Sequence, residues 1–250
     1  MKTVAIIQAR MTSSRLPGKI LADIAGKPLL YHVVNRARQA RTLELVVVAT
    51  TDRPTDDPTE RCCMSMGVVC FRGSEADVLD RYYRAAEKFA ADAIVRLTAD
   101  CPLLDPRVID KVVGFFREGN YDYVCNTMPP TYPDGLDTEV FRFESLTRAW
   151  REARLQSERE HVTSYIWKQP GLFRLGNVDN DADYSKLRWT VDEPADLEFV
   201  RQVYAHFGVT AQFGMTEILD LLMKRPEIRA VNAGFERNEG YLKSLKEDKK

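Results

Sequence analysis

The sequence predicts an α/β fold of Rossmann-like type, a mostly parallel mixed sheet flanked by helices. Short apolar runs recur at Thr3–Gln8, Leu45–Thr50, Val68–Phe71, Ala93–Leu97 and Tyr121–Cys125. They are continuous rather than alternating, which is the pattern of strands buried on both faces. Helix-length amphipathic stretches separate them, and strand–helix alternation of this kind builds a sheet covered by helices.

Taken in order, the first run leads into the loop of "AIIQARMTSSRLPGKIL", residues 5–21. Pro28 suits the first position of a helix over 29–41, where its missing N–H costs nothing. After two more strands, Ser74 precedes "EADVLDRYYRAAEKFAA". Its Val78, Leu79, Tyr82, Tyr83, Ala86 and Phe89 fall on one stripe at helical spacing. Pro106 opens a further helix over 107–117. From Pro129 the pattern changes: "PPTYPDGLDTEVFRF" joins a proline-rich turn to a short alternating segment, read as a small β arm across the mouth of the sheet. Helices near 144–154 and 159–168, strands near 173–178 and 187–191, and helices beginning near Pro194 and Thr216 complete the expectation. The polar end "YLKSLKEDKK" reads as a mobile or loosely packed tail. With no repeat, linker or composition step, residues 1–250 read as one domain, with an inserted arm at 129–143 and a helical extension and tail at 208–250.

A chain of 250 residues typically buries roughly 70–75% of its unfolded surface, so a substantial core is available. Its 36 Lys+Arg balance 37 Asp+Glu, for a net charge of -1. That balance argues against a dedicated nucleic-acid binder, which concentrates a basic excess. The odd set of five cysteines has no C-x-x-C pair and no signal sequence opens the chain, so reduced thiols in a cytoplasmic protein are expected. The three histidines lack zinc-ligand spacing. No apolar run approaches the roughly 20 residues that cross a bilayer.

Ligands of open α/β sheets bind beyond the carboxyl ends of the strands. After the first strand, Arg10, Arg15 and Lys19 project from a loop turned by Pro17 and Gly18, with Thr12, Ser13 and Ser14 offering hydroxyls. Such a loop can cradle a polyphosphate through charge and backbone donors together. It matches neither G-x-x-x-x-G-K-[ST] nor G-x-G-x-x-G, and a solvated basic loop is the plain alternative. In "RLTADCPLLDP" the fourth strand runs into Asp100, and in "RWTVDEPADLEFV" the last runs into Asp192. A carboxylate at such a mouth can hold Mg²⁺ against phosphate oxygens, or merely cap a turn or helix. Two of them facing the basic loop would complete a metal–polyphosphate site. Weaker signals come from Asp134 and Asp137 in "PDGLDTEV", which suit sugar hydroxyls or a plain turn. Arg72, at the end of the third strand, is in reach of phosphates or acceptor. His161 reads more readily as a surface or capping residue than as an acid–base group, and Tyr82, Tyr83 and Trp167 read as core or interface.

The motifs "IIQARMTSSRLPGKIL", "GKPLLYHVVNRA", "RLTADCPLLDP", "PDGLDTEVF", "EREHVTSYI" and "TVDEPADLEFV" span Ile6 to Val200. Together they resemble the cytidylyltransferases that make CMP-activated acidic sugars, the CMP-sialate and CMP-Kdo synthetases, and most closely the branch of spore coat polysaccharide biosynthesis protein F. The resemblance implies a nucleotide-diphospho-sugar-transferase fold, CTP and a sugar acid as substrates, Mg²⁺ as cofactor and often a homodimer. By position it implies triphosphate binding by Arg10, Ser14, Arg15 and Lys19, with Lys19 neutralising charge at the reacting phosphate, and metal binding by Asp100 and Asp192; Ala9 and Arg72 are further candidates for the nucleotide, Arg10 and Asp100 for catalysis beside Lys19, and Asp134, Asp137 and Glu139 for the sugar. The chain reads "ADCPL" where sialate and Kdo enzymes carry their own signatures, and the extension after Gly208 belongs to this branch, so the sugar stays open.

The implied reaction is attack of a sugar hydroxyl on the α-phosphorus of CTP with loss of pyrophosphate, a task of positioning and charge neutralisation. No general base stands out. Two other readings stay open. A glycosyltransferase of related fold needs a D-x-D motif, offered only by Asp179–Asp181 and Asp181–Asp183, neither ending a strongly apolar strand. A non-catalytic nucleotide-binding protein would keep the pocket without turnover.

Overall fold

The computed structural model describes residues 1–13, 15–235, 237, 241, 244, 245 and 248. Nine strands and ten α-helices alternate through them. The first part runs β1 (Thr3–Gln8), the short pair β2 (Asp23–Ile24) and β3 (Lys27–Pro28), α1 (Leu29–Ala37), β4 (Leu45–Thr51), α2 (Asp57–Ser65), β5 (Val69–Gly73), α3 (Val78–Lys88), β6 (Ala93–Thr98) and α4 (Pro106–Glu118). The second runs β7 (Tyr123–Cys125), β8 (Glu139–Arg142), α5 (Phe143–Glu152), α6 (Gln156–His161), α7 (Ser164–Trp167), β9 (Leu175–Asn177), α8 (Pro194–Phe207), α9 (Met215–Lys224) and α10 (Pro226–Ala230).

The main sheet has seven strands in the order β5-β4-β1-β6-β8-β7-β9. β5, β4, β1 and β6 are mutually parallel, while β8 lies antiparallel to both its neighbours. In β1, Ala5 and Ile7 enter one core with α1, α4 and α8, and Val4 and Ile6 enter the other with α3 and α5. Continuous apolar runs are required because both faces are covered. Parallel strands also place β1 and β6 in step, Gln8 beside Thr98, so the loops that follow them leave the sheet at one edge.

Three expectations are corrected. Residues 129–143 do not form an arm: their end supplies β8, inserted between β6 and β7. The alternation in "DTEVFRF" misled because Thr138 and Glu139 look solvent-facing but are buried, with Glu139 paired to Arg96. Residues 187–191 form no strand and make a single bridge, Asp134 to Arg188. The tail is not wholly loose. Much of it lies outside the described residues, but Ser244 is buried and its hydroxyl donates to Glu160 at 2.8 Å. All five cysteines are free, and among the described residues no helix is long and apolar enough to cross a membrane.

Candidate active site

At the edge where β1 ends, backbone geometry shapes the loop. Gly18 sits at φ 74°, a left-handed conformation that side chains resist. Its N–H donates to the Met11 carbonyl at 2.9 Å. From below, buried Asp56 accepts the Met11 N–H at 2.8 Å. The chain is thereby turned into a 3₁₀ turn, Lys19–Leu21, which sends Lys19 back into the protein, where it is only 8% exposed.

An ammonium has three donors, and Lys19 uses all of them. Its Nζ donates to Asp100 Oδ2 at 2.9 Å, Asp192 Oδ1 at 2.7 Å and the Val191 carbonyl at 2.8 Å. A backbone bond of 2.8 Å from Val191 N–H to the Asp100 carbonyl stitches the two carboxylate loops together. Burial opposes the charge on Lys19, yet the two carboxylates outweigh it and its pKa is raised. Burial likewise opposes ionisation of Asp100, but the Lys19 ammonium and the Thr98 hydroxyl pull it down to about 2.

Asp192 is held from two more sides. Arg15 Nη2 reaches its Oδ2 at 2.8 Å and Arg188 Nη2 the same oxygen at 3.2 Å. Arg188 is itself buried against Asp196, with Nε to Oδ1 at 3.0 Å. Asp196 also accepts the backbone N–H groups of Asp192 and Glu193 at 3.0 and 2.9 Å, which caps α8 and fixes the turn that presents Asp192.

Two clefts meet at these carboxylates. One, of about 520 Å³, is lined by Gln8, Ala9, Arg10, Ser13, Arg15, Lys19, Val78, Arg81, Thr98, Asp100 and Asp192 among others. The other, of about 400 Å³, shares Arg15, Thr98, Asp100, His161 and Asp192 and adds Arg96, Asp134, Asp137, Glu139, Trp167 and Arg188. In the second, Gly135 lets the turn press on residues 189–190: a Cβ there would lie 2.7 Å from the Thr190 nitrogen. That approach brings Asp134 to 3.8 Å from Arg188. Burial and the adjoining Asp137 push Asp134 up to about 7.

The family model described as cytidylyltransferase matches residues 4–218. The chain belongs to the cytidylyltransferase family. Spore coat polysaccharide biosynthesis protein SpsF of Bacillus subtilis is 35% identical over 231 residues, covering 89% of this chain and 94% of its own. A 3-deoxy-manno-octulosonate cytidylyltransferase of Anaeromyxobacter dehalogenans is 43% identical over 117 residues, 46% of this chain and 47% of that one. Among solved structures, a cytidylyltransferase from Leptospira borgpetersenii superposes with a TM-score of 0.89 at 34% identity, over 94% of this chain and 100% of that one. The fold class and the enzyme class read from the sequence are those of this family.

Within this cytidylyltransferase chain, the sequence-predicted residues sort by place. Ala9, Arg10, Arg15, Lys19, Asp100 and Asp192 line the larger cleft, with Arg10 exposed at its rim. Ser14 lies outside the described residues. Asp134, Asp137 and Glu139 line the second cleft. There Glu139 is occupied structurally: Arg96 binds one carboxylate oxygen, and the Tyr123 and Thr163 hydroxyls donate to the other at 2.7 Å each. Arg72 is a correction, for it lines neither cleft. Its guanidinium is taken by Asp57 at 2.7 Å and Glu60 at 2.9 Å on α2, because the side chain leaves β5 towards that helix.

Several lining residues escaped the sequence reading. Arg188 stands four residues before Asp192, and that spacing was the available signal. His161, the last residue of α6, is half-buried where the clefts meet, and burial with the nearby Arg96 lowers its pKa to about 4. Trp167, read as core or interface, lines the second cleft. Gln8, inside the first motif but given no role there, and Arg81 line the first cleft.

Proposed function

We propose that this cytidylyltransferase joins CTP to a hydroxyl of an acidic sugar of nonulosonate or Kdo type, giving a CMP-sugar and pyrophosphate for surface polysaccharide or glycan synthesis. The convergence of Asp100 and Asp192 on the Lys19 ammonium, at the junction of two clefts, carries the reading. In it the larger cleft takes the nucleotide and the second takes the acceptor.

The donor set fits Mg²⁺, which is commonly held by one or two carboxylates and completed by substrate phosphates and water. Asp100 and Asp192, the carboxylates that meet at Lys19, are the pair that would hold the ion. When bound it would neutralise charge on the phosphate oxygens. The protein's own groups do the rest. Lys19 and Arg15 place positive charge where the triphosphate lies, and Arg10 adds it at the rim. The acceptor oxygen bonds to the α-phosphorus as the bond from that phosphorus to the bridging oxygen breaks, and the electron pair leaves with pyrophosphate. Asp134, poised near neutrality, takes the hydroxyl proton. Arg15, Arg96 and Arg188 line the acceptor cleft and bring positive charge to it for a sugar carboxylate. The relatives point the same way, one named for a polysaccharide of the spore coat and one for a sugar acid.

The test is pyrophosphate release across the four nucleoside triphosphates with a panel of neutral and acidic sugars, with and without Mg²⁺. Release confined to CTP, an acidic sugar and metal supports the reading; equal release with UTP or with neutral sugars overturns it.

A further inference from the structure

Lys19, Asp100 and Asp192 occupy the end of the nucleotide cleft where charge is needed. The other end is built differently. Gln8 is the last residue of β1, and since Val4 and Ile6 face α3, strand alternation sends its side chain to that same side. Arg81 meets it from the first turns of α3, held there by the neighbouring Tyr82, whose hydroxyl donates to the Ile6 carbonyl at 3.0 Å. Both residues line the cleft, with Ala9 and Val78 as apolar neighbours.

Both also carry unmet hydrogen-bonding demand. Arg81 is 2% exposed, and among the described residues its guanidinium makes one hydrogen bond, from Nη1 to the Ser74 carbonyl at 2.7 Å. Its Nε has no partner, and no carboxylate pairs with its guanidinium among the described residues. Gln8 Oε1 is likewise buried and unpartnered. Buried polar groups are nearly always satisfied, so an orphan donor and an orphan acceptor beside one cleft call for a ligand that supplies both complements. Phosphate supplies only acceptors and leaves Gln8 Oε1 facing negative charge. A pyrimidine edge with an exocyclic amine beside a ring acceptor fits the two together.

We propose that Gln8 and Arg81 read the cytosine edge: Gln8 Oε1 accepts from the exocyclic amine N4, while the Arg81 guanidinium donates to N3 and O2. Uracil inverts two of these contacts. It sets a carbonyl against Gln8 Oε1 and an N3–H against the guanidinium, so each polar group is left unpaired. Ala9 and Val78 provide the apolar surface against which the ring lies.

This inference rests on the CTP reading, and its test separates the two. Binding of CTP, UTP, 3-deaza-CTP, which lacks the N3 acceptor, and the 2-pyrimidinone ribonucleoside triphosphate, which lacks N4, is measured by calorimetry with Mg²⁺. Inorganic tripolyphosphate serves as the probe of the phosphate end. The unmodified protein is expected to bind both analogues about 10- to 100-fold more weakly than CTP, the cost of leaving one buried group unsatisfied. Gln8→Ala then binds CTP and the 2-pyrimidinone analogue alike, and Arg81→Lys loses its preference for CTP over 3-deaza-CTP. Tripolyphosphate affinity stays unchanged in both variants, which a mere loss of folding does not allow. Analogues that bind the unmodified protein as tightly as CTP overturn the inference even if no variant folds. Variants that fold yet keep their discrimination overturn it as well. Equal pyrophosphate release from UTP and CTP by the unmodified protein overturns the CTP reading instead.

Discussion

The two clefts meet at one pair of carboxylates yet are built on opposite plans. The larger cleft is gathered mainly from strand ends and the loops that directly follow them: β1 and its loop, and β6 and Asp100. The second cleft draws on β6, β7, β8, the turn before β8, the segments around His161 and Trp167, and residues 188–192. Their carboxylates differ accordingly. Asp100 has the Lys19 ammonium at 2.9 Å and is held near 2; Asp134 has a guanidinium only at 3.8 Å, lies beside Asp137 and rises to about 7. One carboxylate is locked in its charged form by a matched partner; the other is left between states, as the proton-accepting role proposed for it requires.

Breaking the locked end has the largest expected effect. On the proposed reaction, Lys19→Ala removes a cation at the reacting phosphates and should lower pyrophosphate release by about a thousandfold. It also leaves Asp100 and Asp192 without their shared counter-ion, so Mg²⁺ should raise the variant's melting temperature more than it raises that of the unmodified protein. Near-normal release, or no added metal stabilisation, separates Lys19 from the site. Asp192→Asn comes next, at about a hundredfold. Because Arg15 and Arg188 remain beside position 192, the loss should be partly recovered at high Mg²⁺ in a steady-state titration. A fall that does not depend on metal assigns Asp192 to structure alone.

The same contrast decides what could be read from the sequence. Asp100 was legible because it follows the apolar strand β6, and the loop of Lys19 because it follows β1, since the sheet rule places such loops at one edge; Asp192 was reached through a strand at 187–191 that does not form. The parallel half of the sheet was legible for the same reason. The acceptor side was not. Its strand β8 carries Glu139 among its buried residues, and a carboxylate that satisfies Arg96, Tyr123 and Thr163 inside the protein looks in the sequence like a solvent-facing one. Arg188 and Asp134 come together through the close approach allowed by Gly135, a contact across more than fifty residues that no local pattern records. Arg72 failed in the opposite sense. It was placed at the end of a strand, though β5 runs on through it to Gly73, and nothing local told that α2 supplies Asp57 and Glu60 to hold it.

Asp134 gives an effect of intermediate size with a definite sign. Its folded pKa of about 7 lies above the ordinary carboxylate value, so the fold favours its protonated form. The stability this contributes is complete below about pH 4 and is lost as pH rises towards 7. Asp134→Asn has nothing to lose over that range. Its stability relative to the unmodified protein should therefore improve by on the order of 2 kcal/mol between pH 5 and pH 8, read from urea midpoints. An advantage that stays level with pH means that Asp134 ionises as an ordinary carboxylate, and the proton-accepting role proposed for it falls with that result.

Arg72 sets the lower end of the scale. It is a partly exposed cation whose carboxylate partners both lie on α2, and such pairs are worth little, roughly 0–1 kcal/mol. It does reach further into the backbone, donating to the Thr51 and Arg53 carbonyls at 3.0 and 2.7 Å, so it steadies the segment between β4 and α2. Arg72→Ala should thus lower the melting temperature slightly and leave KM for CTP within about twofold, an energy well under 1 kcal/mol. A tenfold rise in KM with the fold intact would return Arg72 to the nucleotide site, and the division between cations that hold the fold and cations that hold the triphosphate would have to be redrawn around β5.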